Sequence, residues 1–248
     1  MPAADAPPDA PSDAHRPPPT RAVLGRLRLA GPPLRGSPSA LAAQWRGAVG
    51  QRFPGDVAFH GHDGARTVVR YPEVQYRWVD GAPCLYALGD AAERAMAHPW
   101  PGATLTLGGE AREVAEVSWR ALPLAQSFAP RLVRYAFGAP WLPLNQDNHA
   151  RYRKLDGAAQ GAELDRILVG NLLTMSQAFG WFFRDGERVF AAVEPAREGT
   201  YAVKDVPHLG FEGTFVTNLA LPDHLALGRA VSHGFGWFTR LSPADARG

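Results

Sequence analysis

Between Ala162 and Phe179 the apolar side chains fall at Leu164, Ile167, Leu168, Leu172, Met175 and Phe179. A return every three to four residues lays them along one stripe and predicts a helix over 162–179. Gly170, in its middle, suggests close packing on a neighbour. A second stripe, Leu41, Trp45 and Val49, predicts a helix running from a Ser37 or Ser39 cap to about Gly50. Other stretches alternate or are rich in β-branched and aromatic residues. Arg21–Ala30 (RAVLGRLRLA) reads as a half-buried strand stopped by Gly31-Pro32-Pro33. Thr67–Trp78 (TVVRYPEVQYRW) reads as a strand, at an edge or bulged because of Pro72. A turn at Asp80-Gly81 returns it through Ala82–Leu88. A short helix, Ala91–Ala97, and strands Thr104–Leu107 and Val114–Trp119 follow.

The second half repeats the scheme. Its first strand is Arg131–Leu142, followed by a helix at Gln146–Leu155 and the long helix already described. Strands are expected at Arg188–Val193, Ala202–Val206 and Gly210–Ala220, with turns at Asp185-Gly186 and Glu198-Gly199. A helical turn over Pro222–Leu227 and a last strand, Gly236–Leu241, complete it. Strand, helix, strand, strand, helix, strand is the ferredoxin-like order. The RNA-recognition module shares it and uses its open sheet face. The fold class is therefore α+β: two tandem ferredoxin-like (RNA-recognition-like) domains, residues 21–121 and 131–241, joined near 122–130, with a C-terminal glycine-rich loop. Residues 1–20 are mostly Pro, Ala and Asp and read as a disordered extension.

Composition adds limits. A hydrophobic fraction of 46% is ample for buried cores, and a net charge of +2 excludes a global basic field. Among 26 Lys and Arg residues only Lys154 and Lys204 are lysine. Arginine grips phosphate and stacks on bases, but a GC-rich coding bias, which also raises Ala, Gly and Pro, accounts for most of the enrichment. Cys84 is alone, so an intrachain disulfide and a cysteine-rich zinc site are excluded, and its apolar surroundings suggest a buried structural thiol. No run approaches 18 apolar residues and the N-terminus lacks signal-peptide features, which leads to a cytoplasmic expectation.

Two stretches carry candidate chemistry. Gly228–Phe238 (GRAVSHGFGWF) places Gly228, Gly234 and Gly236 around Arg229, Ser232 and His233, with no acid between Leu225 and Ser242. Glycines let a ligand lie against the main chain, and exposed N–H groups with an arginine make a phosphate site; the same pattern also makes a tight turn before a strand. Phe59-His60-Gly61-His62-Asp63 places two histidines one residue apart. Histidine titrates near neutrality, so such a pair can act as base and acid in one reaction. Solvated loop histidines and a half-formed metal site are the competing readings, and zinc needs three or four ligands.

Taken in order, four segments resemble a known family. They are Phe59–His62 with Arg70–Tyr76 (RYPEVQY), Pro143–Leu155 (PLNQDNHARYRKL), Ile167–Gly180 (ILVGNLLTMSQAFG) and Leu221–Phe238 (LPDHLALGRAVSHGFGWF). The chain resembles the Cas-six family of CRISPR-associated endoribonucleases, in the branch with a histidine pair ahead of the second strand. The resemblance implies cleavage of precursor CRISPR RNA within repeats, without metal or other cofactor, leaving a 2′,3′-cyclic phosphate and a 5′-hydroxyl. It makes His60 and His62 the catalytic candidates, with Lys154, Tyr152 and Arg229 offered for phosphate stabilisation on charge and position. Arg131, Arg134, Arg151 and Arg153 are candidates for an RNA groove, with Gly228, Arg229, Ser232, His233, Gly234 and Gly236 as the RNA-binding loop. Trp237, Phe235 and Tyr135 read equally as base-stacking or core residues. The implied partner is CRISPR repeat RNA, with a multi-subunit effector complex or a homodimer as further assemblies. A non-catalytic repeat-RNA-binding subunit of such a complex, and a purely structural or dimerisation module, are the alternatives.

Overall fold

The computed structural model describes residues 21–60, 62–63, 66–67 and 71–242, with His60, His62, Asp63, Arg66 and Thr67 described in backbone only. The expected extension 1–20 and Gly61 lie outside the described residues.

The first domain begins with β1 (Arg21–Leu29) and helix α1 (Pro38–Arg52). The Ser37 side chain accepts from the amide of Ala40 and so caps α1, and Leu41, Trp45 and Val49 are buried as the stripe requires. A short helix α2 (Val57–His60) leads to the two-residue strands β2 (His62–Asp63) and β3 (Arg66–Thr67). Strand β4 (Val74–Val79) starts only after Tyr71-Pro72-Glu73. The single strand expected over 67–78 is thus broken; Pro72 has no N–H for a ladder. Asp80 and Gly81 take φ of 47° and 73° and form the two-residue turn into β5 (Ala82–Leu88). Helix α3 (Gly89–Ala97), β6 (Thr104–Leu107) and β7 (Glu110–Pro123) follow. The sheet order is β4-β5-β1-β7-β6, with every neighbouring pair antiparallel.

Only residues 124–126 separate β7 from β8 (Ser127–Phe137). Helices α4 (Gln146–Tyr152) and α5 (Gly157–Ala178) come next. Helix α5 starts earlier than its apolar stripe because the Asp156 carboxylate accepts from the Ala159 amide at its N-terminus. Gly170 faces open space, with nothing within 4 Å of where its Cβ would lie, so close packing is not its reason. The three strands expected over 188–220 are two: β9 (Ala191–Val203) and β10 (Val206–Ala220) form one long hairpin. Its turn is Lys204-Asp205, at φ of 48° and 64°, and not Glu198-Gly199. Residues 222–227 form no helix: Ala226 instead bridges to Trp237. A 3-10 turn, Val231–His233, precedes β11 (Phe238–Arg240). The second sheet runs β11-β8-β10-β9, which is the ferredoxin-like order again.

Two cores result. One lies between the first sheet, α1 and α3, around Val23, Leu27, Trp45, Tyr76, Leu85 and Trp100. The other lies under α5, around Tyr135, Leu168, Leu172, Phe211 and Phe215, and it includes Ala22, Tyr86 and Leu88 from the opposite face of the first sheet. Strand β5 is therefore buried on both faces. The C-terminal domain covers the opposite face of the first sheet around Ala22, Tyr86 and Leu88, while Arg26, Arg28 and Glu116 farther along it stay exposed. Cys84 is a buried free thiol, as its apolar run implies.

Candidate active site

The glycine-rich stretch packs on β4 at the seam between the domains. Gly234, at φ +90°, packs so closely on β4 that an added Cβ would lie 2.5 Å from the Tyr76 carbonyl oxygen. Gly236, at φ +66°, would place a Cβ 2.0 Å from the Leu227 carbonyl oxygen. These glycines answer to close backbone approach. Arg77 bolts the seam. It is 2% exposed, and its Nη2 donates to the His224 carbonyl at 2.6 Å and to Gln75 Oε1 at 2.7 Å. Its guanidinium lies 4.9 Å from the Tyr86 ring centroid and 5.1 Å from that of Trp237, so aromatic faces replace a carboxylate partner. Burial lowers its pKa to about 10, which still leaves it charged at neutral pH. The Tyr71 hydroxyl donates to the Ala226 carbonyl at 3.1 Å and accepts from the Ala226 amide at 3.0 Å, a second tie across the seam.

Beside these ties opens a cleft of about 680 Å³. Val57, Ala58 and Phe59 of α2 form one wall, and Gly228 to His233 form another. Helix α2 ends at His60 and β2 starts at His62, so both histidine positions follow directly on this wall in the chain. Arg46, Lys204, His208 and Arg229 bring positive or titratable groups to the cleft. Burial, then the charge of Arg229, depresses the His208 pKa, which favours a neutral imidazole.

The predicted site residues divide. Gly228, Arg229, Ser232 and His233 line the cleft. The amides of the glycine-rich stretch are largely committed elsewhere. Arg229 donates to the Leu142 carbonyl at 2.9 Å, His233 to Ala230 at 2.8 Å, Gly234 to Val231 at 3.1 Å and Gly236 to Pro140 at 3.0 Å. An anion nest built on those four amides is ruled out. Gly234 and Gly236 serve packing. Tyr152 is 4% exposed, its ring lies 5.8 Å from that of Phe211, and its hydroxyl donates to Glu198 Oε2 at 3.1 Å. Burial, then Glu198, pushes its pKa up to about 12; it is a core residue away from the cleft. Arg151 donates to Glu163 at 2.9 Å, and Arg166, ahead of Arg151, holds that carboxyl down at about 2. Arg134 makes a two-pronged pair with Glu194, one arm at 3.0 Å. Arg131, Arg153 and Lys154 are exposed and lie outside the cleft lining. Tyr135, fully buried, stacks on Phe215 at 5.2 Å; Phe235 is 2% exposed; Trp237 covers Arg77. These three aromatics belong to core and seam rather than to a base-stacking surface. Arg46, Tyr71, Lys204 and His208 escaped the sequence reading. The one available signal was the isolated lysine at 204.

Two ferredoxin-like domains packed sheet against core, with a glycine-rich segment crossing the seam, define a protein of the Cas6 fold. A solved structure described as "Crystal structure of Cas6b" matches with a TM-score of 0.74 and 22% identity over 89% of this chain and 98% of that one. A second, "Crystal structure of CRISPR RNA processing endoribonuclease Cas6b", gives 0.67 and 20% over 89% and 98%. The "Cas6 (TTHB231) product complex" gives 0.53 and 15% over 89% and 98%. The chain belongs to the Cas6b family: the Cas6b N-terminal domain model matches residues 34–118 and the C-terminal domain model residues 127–241. An uncharacterised protein of Methanocaldococcus jannaschii is 34% identical over 113 residues, 46% of this chain and 76% of its own length.

Proposed function

We propose that this chain is an endoribonuclease that cleaves precursor CRISPR RNA within its repeats to give guide RNAs. Family membership supports the reaction class. The observation that carries the reading is the cleft: α2 delivers the His60 backbone at one wall, and the cation-bearing segment Gly228–His233 forms the other. In the proposed reaction the RNA 2′-hydroxyl attacks the adjacent phosphorus and the bond to the 5′-oxygen breaks. The products are a 2′,3′-cyclic phosphate and a 5′-hydroxyl. One imidazole of His60 and His62 takes the 2′-hydroxyl proton and the other protonates the leaving oxygen. Cations in the cleft offset charge on the phosphorane. No metal enters any step. The RNA supplies its own nucleophile, so the reaction needs no serine or cysteine nucleophile from the protein. Among the described residues no helix is long and apolar enough to cross a membrane.

The test is cleavage of labelled repeat RNA in EDTA, with a second substrate carrying a 2′-deoxy nucleotide at the scissile position. Cutting of the first and not the second is expected, with losses of about 10² to 10⁴-fold in His60→Ala and His62→Ala, the range for one general acid or base. Tight binding by the wild type with no product would instead make the chain a non-catalytic subunit of an effector complex. Size-exclusion chromatography with and without RNA reads homodimer formation in the same preparation.

A further inference from the structure

The hairpin β9–β10 is longer than its sheet requires. Strand β8 pairs with β10 only over Thr214–Ala220, whereas β9 stays paired with β10 out to Val203↔Val206. The base of the hairpin is anchored by buried Ala191, Phe215 and Leu219, but its far end is largely exposed, with Val206 at 54%. A hairpin that leaves its core gains little from burial, so its reach needs another reason.

The far end is aimed. The register shifts between Glu212 and Gly213, and Gly213 takes a φ of +141° at which a Cβ would meet the Glu194 carbonyl oxygen at 2.4 Å. Such a bulge turns the strands beyond it. Gly210 leaves room for Tyr201, whose Cδ2 would be 2.8 Å from a Cβ at that position. The Tyr201 ring reaches Phe235 of the glycine-rich segment at 6.4 Å between centroids. The hairpin end is thereby tied to the cleft wall, and its two-residue turn carries Lys204 into the cleft lining beside His208 and Arg229.

Charge agrees with this placement. On the hairpin and its sheet Arg197 faces Glu212 at 3.7 Å and Arg134 pairs with Glu194, while the exposed Arg131 and Arg240 lie outside the cleft lining. Among the described residues Lys204 and Arg229 have no ion pair. Neighbouring unneutralised cations in a concave site attract an anion. A lysine on a fixed turn acts as a point charge for one phosphate rather than a base reader.

We propose that Lys204, presented by the β9–β10 turn, is a substrate-binding residue that contacts a phosphate of the repeat RNA in this cleft. This rests on the RNA-processing reading above. It assigns to Lys204 the lysine contact expected of Lys154.

The test measures dissociation constants across a salt series, using full-length protein and repeat RNA made uncleavable by the 2′-deoxy substitution. Lys204→Ala is expected to weaken binding about tenfold at physiological salt and to reduce the slope of log K against log salt by roughly one. Lys204→Arg restores the slope, and Arg188→Ala, an exposed cation away from the cleft, leaves both values unchanged. The salt slope separates a phosphate contact from a structural role, which would not move it. Wild-type slope in Lys204→Ala overturns this inference and leaves the RNA-processing reading intact. Absence of salt-sensitive repeat binding by the wild type overturns both.

Discussion

In the N-terminal domain the stretch between the third and fourth strands of the ferredoxin-like order contains helix α3, which buries Ala91, Ala92 and Ala95. In the C-terminal domain the equivalent stretch, 221–237, has no α-helix, only the 3-10 turn Val231–His233. A helix bonds its own amides and needs only a small-residue face to dock. An irregular segment must find a partner for each buried amide and accept special backbone angles. Residues 221–237 do so at His224, Gly228, Ala230, Gly234 and Gly236, all at positive φ. The helix completes one core. The irregular segment closes a domain seam and walls a cleft. Tolerance to change should differ accordingly.

The largest effect is expected at Gly236→Ala, where the new Cβ would meet the Leu227 carbonyl at 2.0 Å; a loss of roughly 3 kcal/mol is the outcome to look for by urea denaturation. A loss below 1 kcal/mol would show that the segment can shift and would erase the contrast with α3. Next comes Arg77→Met, which leaves the His224 carbonyl and Gln75 Oε1 without their donor. A cost of about 2 kcal/mol is expected, with faster amide hydrogen exchange over 224–237 than over 89–97.

A smaller effect follows from His224. Burial, then the charges of Arg77 and Arg120, lower its pKa to about 4 against an ordinary 6.5. The unfolded chain then binds the proton more readily, so this contribution to stability is present above pH 6.5 and is lost as pH falls toward 4. For a partly exposed ring the loss is on the order of 1 kcal/mol, and it should shrink in His224→Gln when melting curves at pH 7 and pH 5 are compared. The smallest effect is expected on the helical side. Glu93→Ala removes a surface pair between α3 and Arg21 and should change stability by no more than about 0.5 kcal/mol.

The contrast also governs what could be read from sequence. Helices α1 and α5 and strands β1 and β5 were legible because burial leaves a periodic apolar trace. The hairpin β9–β10 reads as three shorter strands because its far end leaves the core and carries no such trace; Gly199, which makes room for Tyr201, reads as a turn. Residues 222–227 read as helical, yet Leu225 and Leu227 flank a bridge between Ala226 and Trp237. The glycine-rich stretch was legible as unusual, but its main-chain amides face carbonyls as far away as Pro140 and Leu142, which no local pattern reveals. Arg134 and Arg151 looked like RNA contacts because their acidic partners lie 60 and 12 residues away. The His60–His62 pair was legible as a spacing, and its side chains lie outside the described residues.

The connection 124–126 is too short to let the two halves drift apart. A tether of this length holds each at an effective concentration in the millimolar range toward the other. The seam can therefore be weak in bimolecular terms and still stay closed. Cutting the chain at this connection would turn closure into a concentration-dependent equilibrium between two polypeptides. Cleavage activity would then rise with the square of fragment concentration at high dilution, making the enzyme a reporter of its own assembly.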